Sequence, residues 1–172
     1  LNELNRLELR RIMRNMGPII SLYRDHRNFN KFQDITFTFD LSEDGGNRGE
    51  TIDMYWDQIK DRVIKLIAEG GMIKGHINYD SDRSKVQIQN AEFKGAHDLE
   101  QYEFVNCKVA GDIMYSDFYN CNLTGSDIQG CNLYQGTKAT DCKIKSSYVH
   151  QSCMLKDSYL FGRDSVFKGK MI

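Results

Sequence analysis

The chain has 172 residues, 40% hydrophobic and 27% charged, which suits one globular domain or a small domain joined to a short solenoid and argues against disorder. A formal net charge of −1 and a pI near 6.5 exclude a global bias toward nucleic acid or an anionic membrane, so any charged partner must be met by a local patch. No apolar run approaches the roughly 20 residues of a membrane span, and no signal-peptide-like apolar centre opens the chain, so the expectation is a cytoplasmic protein without a membrane.

Residues 1–34 carry seven Lys/Arg against four Asp/Glu and read as a basic amphipathic helical lead. Leu9, Ile12, Met13 and Met16 line one stripe, and Gly17 and Pro18 stop it. Glu3 and Glu8 dilute the face of Arg6, Arg10, Arg11 and Arg14, which favours a docking or oligomerising helix over a membrane-surface one. The chain begins at Leu1 without methionine, which points to a piece of something longer.

Residues 35–85 read as a small α+β unit of strand, helix and strand. Ile35, Phe37, Phe39 and Leu41 alternate with polar residues, as in a half-buried strand. Thr51 can cap a helix in which Ile59, Val63, Leu66 and Ile67 share a face, Asp61 can pair with Lys65 on the other, and Gly70 and Gly71 end it. Met72 to Tyr79 and Lys85 to Gln89 then read as strands around a polar turn. Nothing rich in Pro, Ser or Gly separates this unit from residues 86 onward, so no flexible linker is expected.

Residues 86–172 step by five. All five cysteines, Cys107, Cys121, Cys131, Cys142 and Cys153, occupy one slot of a repeated frame, two residues before an apolar one and three after an apolar or small one, with Cys153 in a degraded copy that has His150 at that earlier position. Phe104, Phe118, Leu123, Ile128, Leu133 and Ile144 are among the apolar positions, and Ala91 fills the slot in an earlier copy. Units that cannot bury their own apolar face must stack, so this segment is predicted to be a β-solenoid. The cysteine spacings of 14, 10, 11 and 11 match neither a disulfide framework nor a zinc site, and the thiols read as reduced, buried and compact.

Within 116–135 four consecutive blocks have a small residue (Ser116, Cys121, Ser126, Cys131), then Asp or Asn, then an apolar residue (Phe118, Leu123, Ile128, Leu133). This resembles the pentapeptide-repeat family. The resemblance is strongest over 116–135 and looser over 88–166. It implies a right-handed quadrilateral β-helix of four five-residue faces, about 21 residues per coil, with Cys121 stacked over Cys142 and Cys131 over Cys153.

Asp40, Ser42, Asp44 and Glu50 around Gly45 are the candidate metal ligands, in a run similar to a calcium loop; Asn47 replaces its apolar position and Thr51 its final carboxylate, so a plain acidic loop is the preferred reading. His26, His76, His97 and His150 stand far apart, and no nucleophile motif accompanies them. No catalytic residue and no cofactor is assigned. The expectation is a non-catalytic structural or protein-binding solenoid that presents a rigid surface to a protein partner, or to itself through the solenoid edge left after a last repeat that has no polar cap, unless a longer native chain covers that edge. The alternatives are a DNA-mimicking binder of a topoisomerase such as gyrase, implied by the resemblance, and an accessory domain of a larger enzyme. Nine basic against ten acidic residues over 86–172 disfavour the mimic, and nucleic acid is not an expected partner.

Overall fold

The computed structural model describes residues 34–40, 48–68, 70–80 and 83–172. The helical lead over 1–34 lies outside these but for Asp34, as do Ser42 and Asp44. Strand β1 (Ile35–Asp40) forms where the alternation predicts it and runs parallel to β2 (Met72–Asp80), with Ile35 opposite Gly75. Between them α1 (Arg48–Ala68) begins three residues before Thr51. Ile59, Val63, Leu66 and Ile67 recur at helical spacing and are all buried. Gly71 closes the helix at φ +67, where a Cβ would stand 2.0 Å from the Lys94 carbonyl oxygen.

The Asp61–Lys65 pair does not form. Lys65 donates to the Asp98 carbonyl at 2.8 Å, and Arg62 to the carbonyls of Glu100, at 3.5 Å, and Gln101. These acceptors lie on the first rung of the solenoid, which has no earlier coil to serve them, so the cationic side chains of α1 take that part.

Strand β3 (Lys85–Glu100) pairs antiparallel with β2, Ile88 opposite Ile77, and then bends around two corners to become the first coil. It is far longer than the strand ending at Gln89 that the sequence suggests. The small unit and the solenoid therefore share one sheet, without a linker. From β3 onward the chain is a parallel β-solenoid of the right-handed type, of about five turns. Its strands, β4 (Glu103–Val105) to β16 (Lys170–Met171), are mostly three residues long.

Each coil has three faces, not four. On the first face Ile88, Phe104, Phe118, Leu133 and Val149 stack inward. Phe93, Val109, Leu123, Ala139 and Leu155 do so on the second. Leu99, Ile113, Ile128, Ile144 and Leu160 do so on the third. From Ile88 to Val149 successive rungs on the first face are 14 to 16 residues apart. The five-residue unit is thus one face, an outward, inward, outward strand followed by a two-residue corner, and three corners return the chain above its start. The stacked residues fill the axis: the rings of Phe104 and Phe118 lie 5.1 Å apart and 11° from parallel, and Phe93 meets Phe104 edge-on at 5.6 Å.

Candidate interaction surfaces

The corners decide which side chains face out. Each begins with a residue that commonly has positive φ, such as Asn106, Asn120, Asp141 or Gly130, and the small slot residue comes next. Asn and Asp tolerate the left-handed region better than other side chains, which accounts for their place before the slot. Asn120 Nδ2 also donates to Asn106 Oδ1 of the preceding coil at 2.8 Å.

The slot is more than a small space. The Cys107 amide donates to Cys121 Sγ at 3.5 Å and the Cys121 amide to Thr137 Oγ1 at 3.2 Å. At a second corner the Tyr102 amide donates to Ser116 Oγ at 3.1 Å, Ser116 to Cys131 Sγ at 3.4 Å, and Cys131 to Ser147 Oγ at 3.1 Å. The third corner repeats this from Gly111 to Ser126 Oγ and from Cys142 to Ser158 Oγ. Each of these side chains accepts the corner amide of the coil before it, and most also donate to a carbonyl two residues back, as Cys131 does to Gln129 at 3.3 Å. Ser, Thr and Cys are interchangeable here because each carries both functions on one small atom.

With three-faced coils the cysteine stacking differs from the four-faced expectation. Cys107, Cys121, Thr137 and Cys153 share one corner, Ser116, Cys131 and Ser147 another, and Ser126, Cys142 and Ser158 the third, so Cys121 does not lie over Cys142 nor Cys131 over Cys153. All five thiols are free and buried. Burial pushes Cys131 up to about 12 and raises Cys142 and Cys153. In the stacked pair, the bond between the thiols and then burial push Cys121 up, while the same bond favours the thiolate on Cys107.

The candidate metal run is divided between elements: Asp40 ends β1 and Glu50 lies in the first turn of α1. Among the described residues no group of three or more His, Cys, Asp or Glu is placed to hold a metal ion. His76 lies on β2, His97 on β3 and His150 beside Tyr134 and Tyr148, so the structure brings no two of these histidines together. No helix among the described residues is long and apolar enough to cross a membrane.

Three surfaces remain. The first face carries a polar and aromatic network. Glu103, nearly buried, accepts from Gln87 Nε2 at 2.7 Å and lies 3.8 Å from both Arg83 and Lys85, while Asn132 donates to Asp117 at 2.9 Å. Beside it Tyr119 stacks on Tyr134 at 5.0 Å, His150 lies 4.2 Å beyond, and Lys168 lies over the Tyr148 ring. These ring faces are already covered by one another. The second face holds an open groove of about 410 Å³ between Glu92, Lys108, Asn122 and Lys138.

The third face is ordered by charge. Its outward residues are Glu100, with Asp98 at φ +47 just before it, then the pairs Asp112 and Met114, Asp127 and Gln129, Lys143 and Lys145, and Tyr159 and Phe161. A shallow groove of about 360 Å³ runs along it, lined by Asp112, Met114, Asp127, Lys143, Lys145 and Phe161 among others. This order belongs to a wider polarity: 86–134 holds seven acidic and two basic residues, 135–172 three acidic and seven basic. A count over the whole solenoid hides it because the halves cancel; a running sum of charge along the chain shows it. No protein-family model, no curated protein and no solved structure matches this chain.

Proposed function

We propose that the chain is a non-catalytic structural or protein-binding solenoid, whose work is to hold outward side chains in fixed register before a protein partner or a copy of itself. The supporting observation is the division of labour within each five-residue unit. Inward side chains and slot residues account for the core and the corner amides, which leaves the outward columns available for recognition on a rigid frame. The five-residue step also supports a kinship with pentapeptide-repeat proteins, although a three-faced coil departs from the quadrilateral form that the resemblance implies. A DNA-mimicking surface draws no support from the third face, because Lys143 and Lys145 interrupt its carboxylates.

Cross-linking of the full-length protein at its native level tests the reading. The expected product is a defined complex, either with one protein partner or between copies. Recovery of monomer alone, combined with turnover of a small molecule by the purified protein, would overturn it.

A further inference from the structure

We infer that the third face is a self-recognition surface, on which a second copy of this chain docks antiparallel about a two-fold axis lying between the rungs of Ile128 and Ile144. This rests on the reading above and names the partner within it.

Asp112 and Asp127 stand in one column on adjacent rungs, about 4.8 Å apart, where like charges repel, and Asp98, at φ +47 in the register shift that opens the first rung, lines the same groove. Lys143 is next in the same column, but no ion pair forms between these groups among the described residues, and all four side chains are exposed. The cations are thus available to an external carboxylate and the carboxylates to an external cation. Tyr159 and Phe161, 52% and 44% exposed, continue the face and point outward from it.

Two orientations place this face against its copy. With the rods parallel, the two-fold axis runs along the solenoid and exchanges the two columns. Lys143 then meets the partner's Lys145, and Lys145 the partner's Lys143, so the same repulsive contact is made twice. With the rods antiparallel, the axis runs along the strands and each column meets itself reversed. About the point between the rungs of Ile128 and Ile144, Asp127 meets the partner's Lys143 and Lys143 the partner's Asp127. One rung out, Asp112 faces the partner's Tyr159 and Met114 the partner's Phe161. The central contacts are then of opposite charge (Asp127 with Lys143), neutral with cationic (Gln129 with Lys145) or partly apolar, none sets like charges together, and each is made twice, as an isologous interface requires.

The face is about 20 Å long at the strand spacing and only three residues wide, below the roughly 1,200 Å² total of most stable complexes. The association is therefore weak, reversible and salt-sensitive, and suited to a high local concentration.

Sedimentation of the full chain, with its charge-reversed variants, decides the matter. Asp127→Lys alone and Lys143→Asp alone each set like charges against each other twice, and each should weaken association at least about tenfold. An equimolar mixture of the two variants should regain it, because the lysine introduced in one variant then meets a native lysine's replacement, an aspartate, in the other, and the remaining native pair is again of opposite charge. Lys156→Asp, on the second face, should change nothing. Circular dichroism melting confirms that each variant is folded. Wild-type monomer at every concentration, or variants that associate like wild type and gain nothing on mixing, would overturn the inference. If the protein is instead captured in a complex with a different protein, the self-recognition inference fails while the broader interaction reading stands.

Discussion

Substitutions at Cys131 separate two accounts of the slot. If the slot merely needs a small apolar group, Ala should be as good as Ser, an expectation encouraged by Ala91 in an earlier copy. The hydrogen bonds say otherwise. Cys131 Sγ accepts the Ser116 amide at 3.4 Å, and both residues are at most 2% exposed, so Ala would leave a buried donor without its partner at a cost of about 1–3 kcal/mol, toward the lower end because sulfur is a weak acceptor. Ala91 is exempt because it stands in the first coil, with no earlier slot amide to accept. Ser keeps both bonds, as Ser116 and Ser147 do one rung either side, and should lie within about 1 kcal/mol of wild type. Leu would overpack the corner by about 1–3 kcal/mol. Urea unfolding with a common m-value should therefore rank the variants Cys and Ser together, then Ala, with Leu no better than Ala. Equal stability of Ala and Ser, or a tolerated Leu, would refute the ladder.

Leu133→Ala removes a fully buried side chain between Phe118 and Val149 and should cost about 2–5 kcal/mol in the same assay. Gly130 has φ +61, and a Cβ there would lie 2.7 Å from the Tyr115 ring, so Gly130→Ala should destabilise, and adding Tyr115→Ala should recover the steric share but not the backbone strain of about 1–2 kcal/mol. Thiol reagents should label the native protein slowly and the urea-unfolded protein fully, and rapid native labelling would contradict the buried slots. Alkaline titration provides a signed test. The folded state holds the Cys131 proton up to about 12 while the unfolded chain releases it near 9, so its contribution is intact below about 9 and stability then falls by up to about 1.4 kcal/mol per pH unit. In Cys131→Ser that share of the slope should disappear.

The five-residue step was legible because it is imposed locally: an inward apolar residue in the strand, a turn-prone residue, a slot that admits little more than Ser, Thr or Cys. Phe104, Phe118, Leu123, Ile128, Leu133 and Ile144 could be placed inward on that ground alone. The number of faces was not legible, since a unit that describes one side of a polygon is silent on how many sides close it. Closure depends on the bend at corners such as Asn106–Cys107 and Gly130–Cys131, and the four faces implied by the family resemblance misassigned every cysteine neighbour. The 14 residues between Phe104 and Phe118 and the 16 between Leu133 and Val149 are the trace of three-faced coils with slightly unequal corners. Likewise helical spacing pairs Lys65 with Asp61, whereas an unserved carbonyl on the first rung is a tertiary feature that no local pattern announces.

The outward columns obey another logic, because folding does not dictate them. Asp112 directly beneath Asp127, with Asp98 in the same groove, opposes the stacking of its own rungs, so the isolated rod carries repulsion that external cations can relieve. Salt should then act with opposite signs on the two properties of the molecule. At concentrations too dilute for association, raising salt screens neighbouring carboxylates and should raise the melting temperature of the wild type more than that of an Asp112→Asn variant. At concentrations where copies associate, the same salt screens Asp127 from the partner's Lys143 and should dissociate them. A fold and an association that both strengthened with salt would indicate contacts dominated by apolar burial, centred on Tyr159 and Phe161, in place of the ordered charges.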